Sequence, residues 1–132
     1  MTAKYLVDTD WAIHYFNGHA GITQRLQALQ PAGLALSVVS LAELYEGVLY
    51  STTPDEDERA LKDFLGVVEL VGIDDSTAQR FGQERGRLRA RGLLIGDFDL
   101  LIGVTALAHG LTLLTNNRKH FERLESLSIE SL

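Results

Sequence analysis

The chain contains no cysteine, only two prolines, one methionine and one tryptophan, and its twelve Lys and Arg residues are outnumbered by eighteen Asp and Glu. The missing cysteine excludes disulfides, thiolate zinc sites and cysteine nucleophiles. It leaves the redox compartment open, because a cysteine-free chain folds in either. The shortage of base, with a net charge of −6, argues against a protein that coats nucleic acid passively, since such a protein is usually basic. It does not exclude an enzyme that works on nucleic acid through metal-binding carboxylates. The apolar run Leu100–Ala108 is too short to cross a bilayer. The opening MTAKYLV runs straight into strand-like residues without the apolar core of a signal peptide. The expectation is a soluble cytoplasmic protein with no membrane association. No internal repeat, low-complexity segment or linker is found, nor is there a GxGxxG, Walker-type or GxSxG motif. The four histidines (14, 19, 109 and 120) show no metal-ligand spacing.

What remains is ordinary globular material. Apolar residues make up 45% and charged residues 23% of 132 positions, close to the averages for folded domains. One domain over residues 1–132 is expected. Size scaling gives it roughly 6,900 Å² of folded surface with about two-thirds of the unfolded surface buried, enough for a core without staples.

Short apolar runs alternate with helical periods. Tyr5–Val7 reads as a strand, followed by helices over Trp11–Phe16 and Ile22–Leu29. Leu34–Leu36 reads as a second strand ending at Ser37. From Val38 to Tyr50 the period is 3.6, with Val38, Leu41, Leu44, Tyr45, Val48 and Leu49 on one face and Glu43, Glu46 and Gly47 on the other. A capped helix reaches about Leu65, and Val67–Ile73 reads as a third strand. Asp74-Asp75-Ser76 caps a long polar helix ending near Gly92. An almost wholly apolar helix runs from Phe98 to His109 and stops at Gly110. Leu111–Leu114, a short helix over Lys119–Arg123 and an edge strand at Leu127–Ile129 complete the chain. This alternation predicts a three-layer α/β/α sandwich around a four- or five-stranded, mainly parallel sheet.

Ligands of open parallel sheets bind beyond the carboxyl ends of the strands. Those positions hold Asp8, Thr9 and Asp10 after strand one, and Ser37, Ser40 and Glu43 after strand two. Thr115, Asn116 and Asn117 follow strand four, and Asp97 and Asp99 open the preceding helix. Carboxylates gathered at one edge repel unless a cation or shared protons relieve them, and hard oxygen donors suit Mg²⁺ or Mn²⁺. Each position also has a structural reading. Asp10 is well placed to cap the Trp11 helix and Asp97 to cap the apolar helix. Asp99 suits the first turn of a helix dipole, and Glu43 suits a solvated helix face. Arg80, Arg85, Arg87, Arg89 and Arg91 share one polar helix and read as a solvated face with pairs such as Glu84 to a nearby arginine. Arg118, Lys119, His120 and Arg123 lie nearer the proposed site and are candidates for phosphate steering.

The segments YLVDTDWAI, LSVVSLAELYEGV and IGDFDLLIGVTALAHGLTLLTNNRKHFERL together resemble the PIN-domain family, most closely its VapC-type toxins of bacterial toxin–antitoxin pairs. The resemblance covers nearly the whole chain in order and spacing. It implies a single PIN-like domain and a Mg²⁺-dependent endoribonuclease (Mn²⁺ being the alternative ion). By position it makes Asp8, Glu43 and Asp99 the metal ligands, with Asp97 an additional nearby carboxylate able to take a proton from water. Thr9, Ser40 and Thr115 fall where the family has small polar residues lining the site; Asn117 is a further candidate for such support, and Arg118 and Lys119 stay the candidates for phosphate steering by their position. Two departures stand out: Asp10 where asparagine is commoner, and Asn117 where many relatives have a fourth acid. The resemblance further implies an RNA substrate, a small VapB-type antitoxin partner and a homodimer. Tyr15, Phe16 and Tyr45 are candidates for the antitoxin groove, or else core.

Two other readings fit parts of the pattern. Asp8-Thr9-Asp10 resembles the DxD of haloacid-dehalogenase-type phosphatases, but no lysine stands ahead of Asp97 and Asp99 in the way that chemistry needs. A non-catalytic module is the other alternative: a receiver-like one would need an acceptor acid after strand three, where Asp74 and Asp75 stand but read better as caps, and an inactive PIN module would be expected to lose a site acid, of which only the fourth is missing here.

Overall fold

A computed structural model describes residues 2–132. Five strands form one sheet: β1 Tyr5–Val7, β2 Leu34–Ser37, β3 Glu69–Val71, β4 Thr112–Leu114 and β5 Ile129–Glu130. Every pairing is parallel, and the spatial order is β3-β2-β1-β4-β5. Helices α1 Thr9–Phe16 and α2 Ala20–Leu29 connect β1 to β2, and α3 Val38–Leu49 and α4 Pro54–Leu65 connect β2 to β3. The connection from β3 to β4 runs through α5 Asp75–Ala90 and α6 Asp97–His109, and a single turn, α7 Arg118–Phe121, precedes β5. Strand order reverses between β1 and β4, and an open parallel sheet forms its crevice at that point. The receiver-like alternative fails here, because that fold has the order 2-1-3-4-5.

The sheet is covered on both faces because its strands alternate between two cores. Leu6, Ala35, Val71 and Leu113 face α5, α6 and α7, packing with Leu88, Leu100, Ile102, Val104, Phe121 and Leu124. Val7, Leu34, Leu36 and Leu114 face α1 to α4, packing with Trp11, Ile22, Leu26, Leu44, Leu61 and Phe64. The accessible surface is 7125 Å². Among the described residues no helix is long and apolar enough to cross a membrane.

Helix α6 explains its own unusual composition. Leu100, Ile102, Val104, Thr105 and Ala106 are all buried, and the Thr105 hydroxyl is satisfied by the Leu101 carbonyl at 2.7 Å. Gly110 ends it in the left-handed conformation, φ 65°, which glycine adopts without penalty.

Several boundaries differ from the periodic reading. Helix α1 begins at Thr9, so Asp8 rather than Asp10 is its N-cap. Gly96, not Asp97, caps α6, without a side-chain bond. In α3 the buried residues are Val39, Ser40, Leu44 and Val48, while Leu49 is exposed. The apolar count alone placed the face one position away, because buried Ser40 belongs to the inner face as a polar residue.

Candidate functional site

Asp8 and Thr115 follow β1 and β4 directly, the two strands that flank the reversal of order. Their backbones meet through Asp8 N–H and the Leu114 carbonyl at 3.0 Å. The Asp8 side chain is 4% exposed. Its Oδ1 accepts from the Thr9 amide at 2.8 Å and its Oδ2 from Thr115 Oγ1 at 2.7 Å. Burial, then the negative charge of Asp10, pushes the Asp8 carboxyl from its ordinary 3.8 up to about 8, while Thr115 opposes the shift. Asp10 lies in the first turn of α1. Its Oδ1 is buried and, among the described residues, lacks a hydrogen-bond partner.

Thr9 Oγ1 reaches across to α3, 2.8 Å from Glu43 Oε1 and 2.9 Å from Ser40 Oγ. With one proton, the threonine donates to the carboxylate and accepts from the serine. Glu43 is thereby held half-buried against α1. Its polar-face position is aimed at the site, not at bulk solvent.

On the other side, Asn117 N–H donates to Thr115 Oγ1 at 3.0 Å, and its side-chain amide lies 3.5 Å from Asp99 Oδ2 and 3.0 Å from His120 Nδ1. Thr9 and Thr115, one on either side of Asp8, therefore link Glu43, Asp8 and Asp99 into one chain of polar contacts from four segments. His120 extends it, with Nδ1 3.4 Å from Asp99 Oδ2. Sequence reasoning placed His120 only among the basic residues, because ligand spacing along the chain does not reveal a partner 21 positions away.

Asp97 lies outside this network. It is 63% exposed and paired with Arg85 at 3.2 Å. Arg118 is engaged by Glu122 at 3.0 Å and by Ser131 at 3.1 Å, and Lys119 is exposed beside it. Arg123 donates to the Leu93 and Leu94 carbonyls and serves to tie down the loop before α6. Asn116 is structural: its Oδ1 accepts from Trp11 Nε1 and from the Leu132 amide.

The donor set suits a hard divalent cation. Asp8 and Asp10 repel in a buried setting, and the partnerless oxygen of Asp10 lacks the donor or cation that burial demands. Among the described residues no three His, Asp or Glu side chains already converge as a finished cage. The acids stand instead as two groups, Asp8 with Asp10 and Asp99 with His120, joined by Thr115 and Asn117. A cavity of about 260 Å³ between α1, α3 and α4 is lined by Ile13, Phe16, Leu44 and Val48 together with the acids Glu43 and Asp57. Of the aromatics expected there, Phe16 lines it; Tyr15 and Tyr45 pack on the core.

The pattern described as PIN domain matches residues 5–127. The chain is 33% identical over 129 residues to "Ribonuclease VapC2" of Rickettsia felis, covering 96% of each. It is 30% identical over 128 residues to "tRNA(fMet)-specific endonuclease VapC" of Shigella flexneri, again covering 96% of each. Among solved structures, VapBC2 of Rickettsia felis bound to a DNA fragment from its promoter superposes with a TM-score of 0.91 at 32% identity, over 97% of this chain and 98% of that one.

Proposed function

This chain belongs to the PIN-domain family, and from that premise we propose that it is the ribonuclease toxin of a toxin–antitoxin pair, cleaving RNA phosphodiester bonds with Mg²⁺. The observation that carries this reading is the polar chain joining Glu43, Asp8 and Asp99 at the strand-order reversal. Relatives named as ribonuclease and endonuclease support the reaction class.

In this reading Asp8, Asp99 and Glu43 hold the cation. When bound, Mg²⁺ neutralises phosphate oxygens and lowers the pKa of a water suited to in-line attack. The residues of the chain do the rest. Thr115 and the Thr9 amide fix both oxygens of Asp8, and Thr9 fixes Glu43, so the carboxylates need little reorganisation. Asp97 is paired with Arg85 at the surface and would have to leave it to take the proton of the water. Lys119 is free to meet a phosphate, whereas Arg118 must first release Glu122.

The cavity suits an antitoxin segment carrying apolar side chains and a base, since the acids Glu43 and Asp57 are among its lining residues. Occupied in this way, it would close the site to RNA. The neighbouring VapBC complex supports such a partner, and a homodimer remains part of the proposal. Neither rival is favoured. The phosphatase reading needs a lysine ahead of its late acidic pair, and the lysines besides Lys4 are Lys62, within helix α4, and Lys119, after Asp97 and Asp99.

Incubation of total RNA with the purified protein tests the proposal, with Mg²⁺ or EDTA and with mapping of the cut sites. Cleavage is expected with Mg²⁺ only, and not from Asp99→Asn. Release of phosphate from small monoesters with RNA uncut would favour the phosphatase.

A further inference from the structure

Asp99 Oδ2, the Asn117 amide nitrogen and His120 Nδ1 form a triangle with sides of 3.5, 3.0 and 3.4 Å. The amide carries two protons, enough to donate to both neighbours. Donation to His120 requires Nδ1 to be the bare nitrogen of the ring, with the proton on Nε2. In the other tautomer Nδ1–H donates to Asp99; in this one a carboxylate oxygen and an imidazole nitrogen, each with a lone pair, lie 3.4 Å apart. Adjacent unprotonated donors of this kind form one edge of a cation's coordination shell. The edge is rigidly supported. Phe121 and Leu124, immediately beyond His120, are 0% and 2% exposed, and Asn117, at the start of α7, makes no capping bond with its side chain.

We propose that His120 supplies a nitrogen ligand, beside Asp99, to the divalent cation of this site. The inference rests on the metal-dependent reading above. It also predicts the preference. Carboxylates alone suit Mg²⁺, whereas an imidazole donor biases a mixed site toward first-row transition ions. The site therefore takes Mn²⁺ ahead of Mg²⁺, and His120 provides a donor where many relatives have a fourth acid near Asn117.

Electron paramagnetic resonance of the purified protein loaded with Mn²⁺ alone, without RNA, reads this directly. The spin-echo spectrum should show ¹⁴N modulation from one coordinated imidazole, replaced by a ¹⁵N pattern when the protein is grown with ¹⁵N-histidine. The unmutated protein thus tests the idea even if variants fold poorly. His120→Gln should lose the modulation and weaken Mn²⁺ binding about tenfold, with its circular dichroism unchanged. Mn²⁺ bound without nitrogen coupling would overturn the His120 assignment and leave the metal-dependent reading intact. Coupling that survives in His120→Gln would assign it to another histidine and also overturn the proposal. Failure of the unmutated protein to bind Mn²⁺ or Mg²⁺ would overturn both.

Discussion

Thr115 Oγ1 donates to Asp8 Oδ2 at 2.7 Å across 107 residues of chain, and both side chains are buried. The bond exists because β1 and β4 are adjacent and in parallel register, Val7 opposite Leu114, so that the residues after each strand meet. Thr115 also accepts the Asn117 amide, which makes its hydroxyl the joint between the two acidic groups. Thr115→Val keeps the shape and removes the joint. It should cost about 1–3 kcal/mol, the usual penalty for stranding a buried polar group. RNA cleavage should fall more than stability alone explains. Urea denaturation and cleavage assays on the same preparation separate the two.

Asp8 gives the metal-free protein a characteristic pH dependence. Its carboxyl is raised from 3.8 to about 8 in the folded state, so between those values the folded chain holds a proton that the unfolded chain has released. Stability from this group is fully present below about 4 and is lost as pH rises toward 8. The opposite trend, from Asp74 and Glu130, whose carboxyls are held low by Thr77 and by Arg25 respectively, is confined to more acidic solution. Denaturant midpoints of the metal-free protein should therefore decline from pH 5 to pH 8, and Asp8→Asn should flatten that decline. A saturating divalent cation should flatten it as well, by favouring the ionised form. A midpoint that rises steadily over this range would contradict the assignment.

The acidic edge itself was legible from sequence. Short unbroken apolar strands imply a covered parallel sheet, and such sheets present their sites at one edge. The direction of individual side chains was less legible, because it depends on where each helix starts. Moving the start of α1 from Trp11 to Thr9 makes Asp8 the cap and carries Asp10 into the first turn. Each residue is worth about 100° of rotation, so two positions decide which acid faces inward. Periodicity likewise does not register that Asp97 meets Arg85, twelve residues earlier. The Arg25–Glu130 pair, at 2.6 and 3.0 Å, joins α2 to the edge strand β5 and depends on a contact across 105 residues that periodicity does not register.

Gly103 tests how tightly the site is supported from beneath. It is buried in α6, and a methyl group there would overlap Leu124 Cδ1 and lie 3.3 Å from Phe121 Cδ1. Both neighbours are buried, so neither can swing into solvent. Gly103→Ala should destabilise by about 1–3 kcal/mol through overpacking, outweighing the gain in helix propensity. Because Phe121 and Leu124 seat the turn that carries His120, the substitution should also weaken Mn²⁺ binding. Thermal melts and a metal titration read the two effects.

Asp97 and Asp99 are two residues apart on one helix, yet they have different neighbours. Asp99 faces Asn117 and His120 and is joined to Asp8 through Thr115. Asp97 is largely solvated and meets only Arg85 among the pairs described, an exposed contact worth less than about 1 kcal/mol. Asp99→Asn should remove a charge that the proposed function gives to the cation and reduce cleavage by roughly a thousandfold, several kcal/mol of transition-state stabilisation. Asp97→Asn should leave cleavage within about threefold of the unmutated protein, under 1 kcal/mol in the barrier, and change stability little. Initial rates on one RNA at saturating Mg²⁺ decide the matter. Comparable losses from both variants would mean that Asp97 leaves Arg85 when RNA binds, and a double variant with Arg85→Ala would then recover no activity.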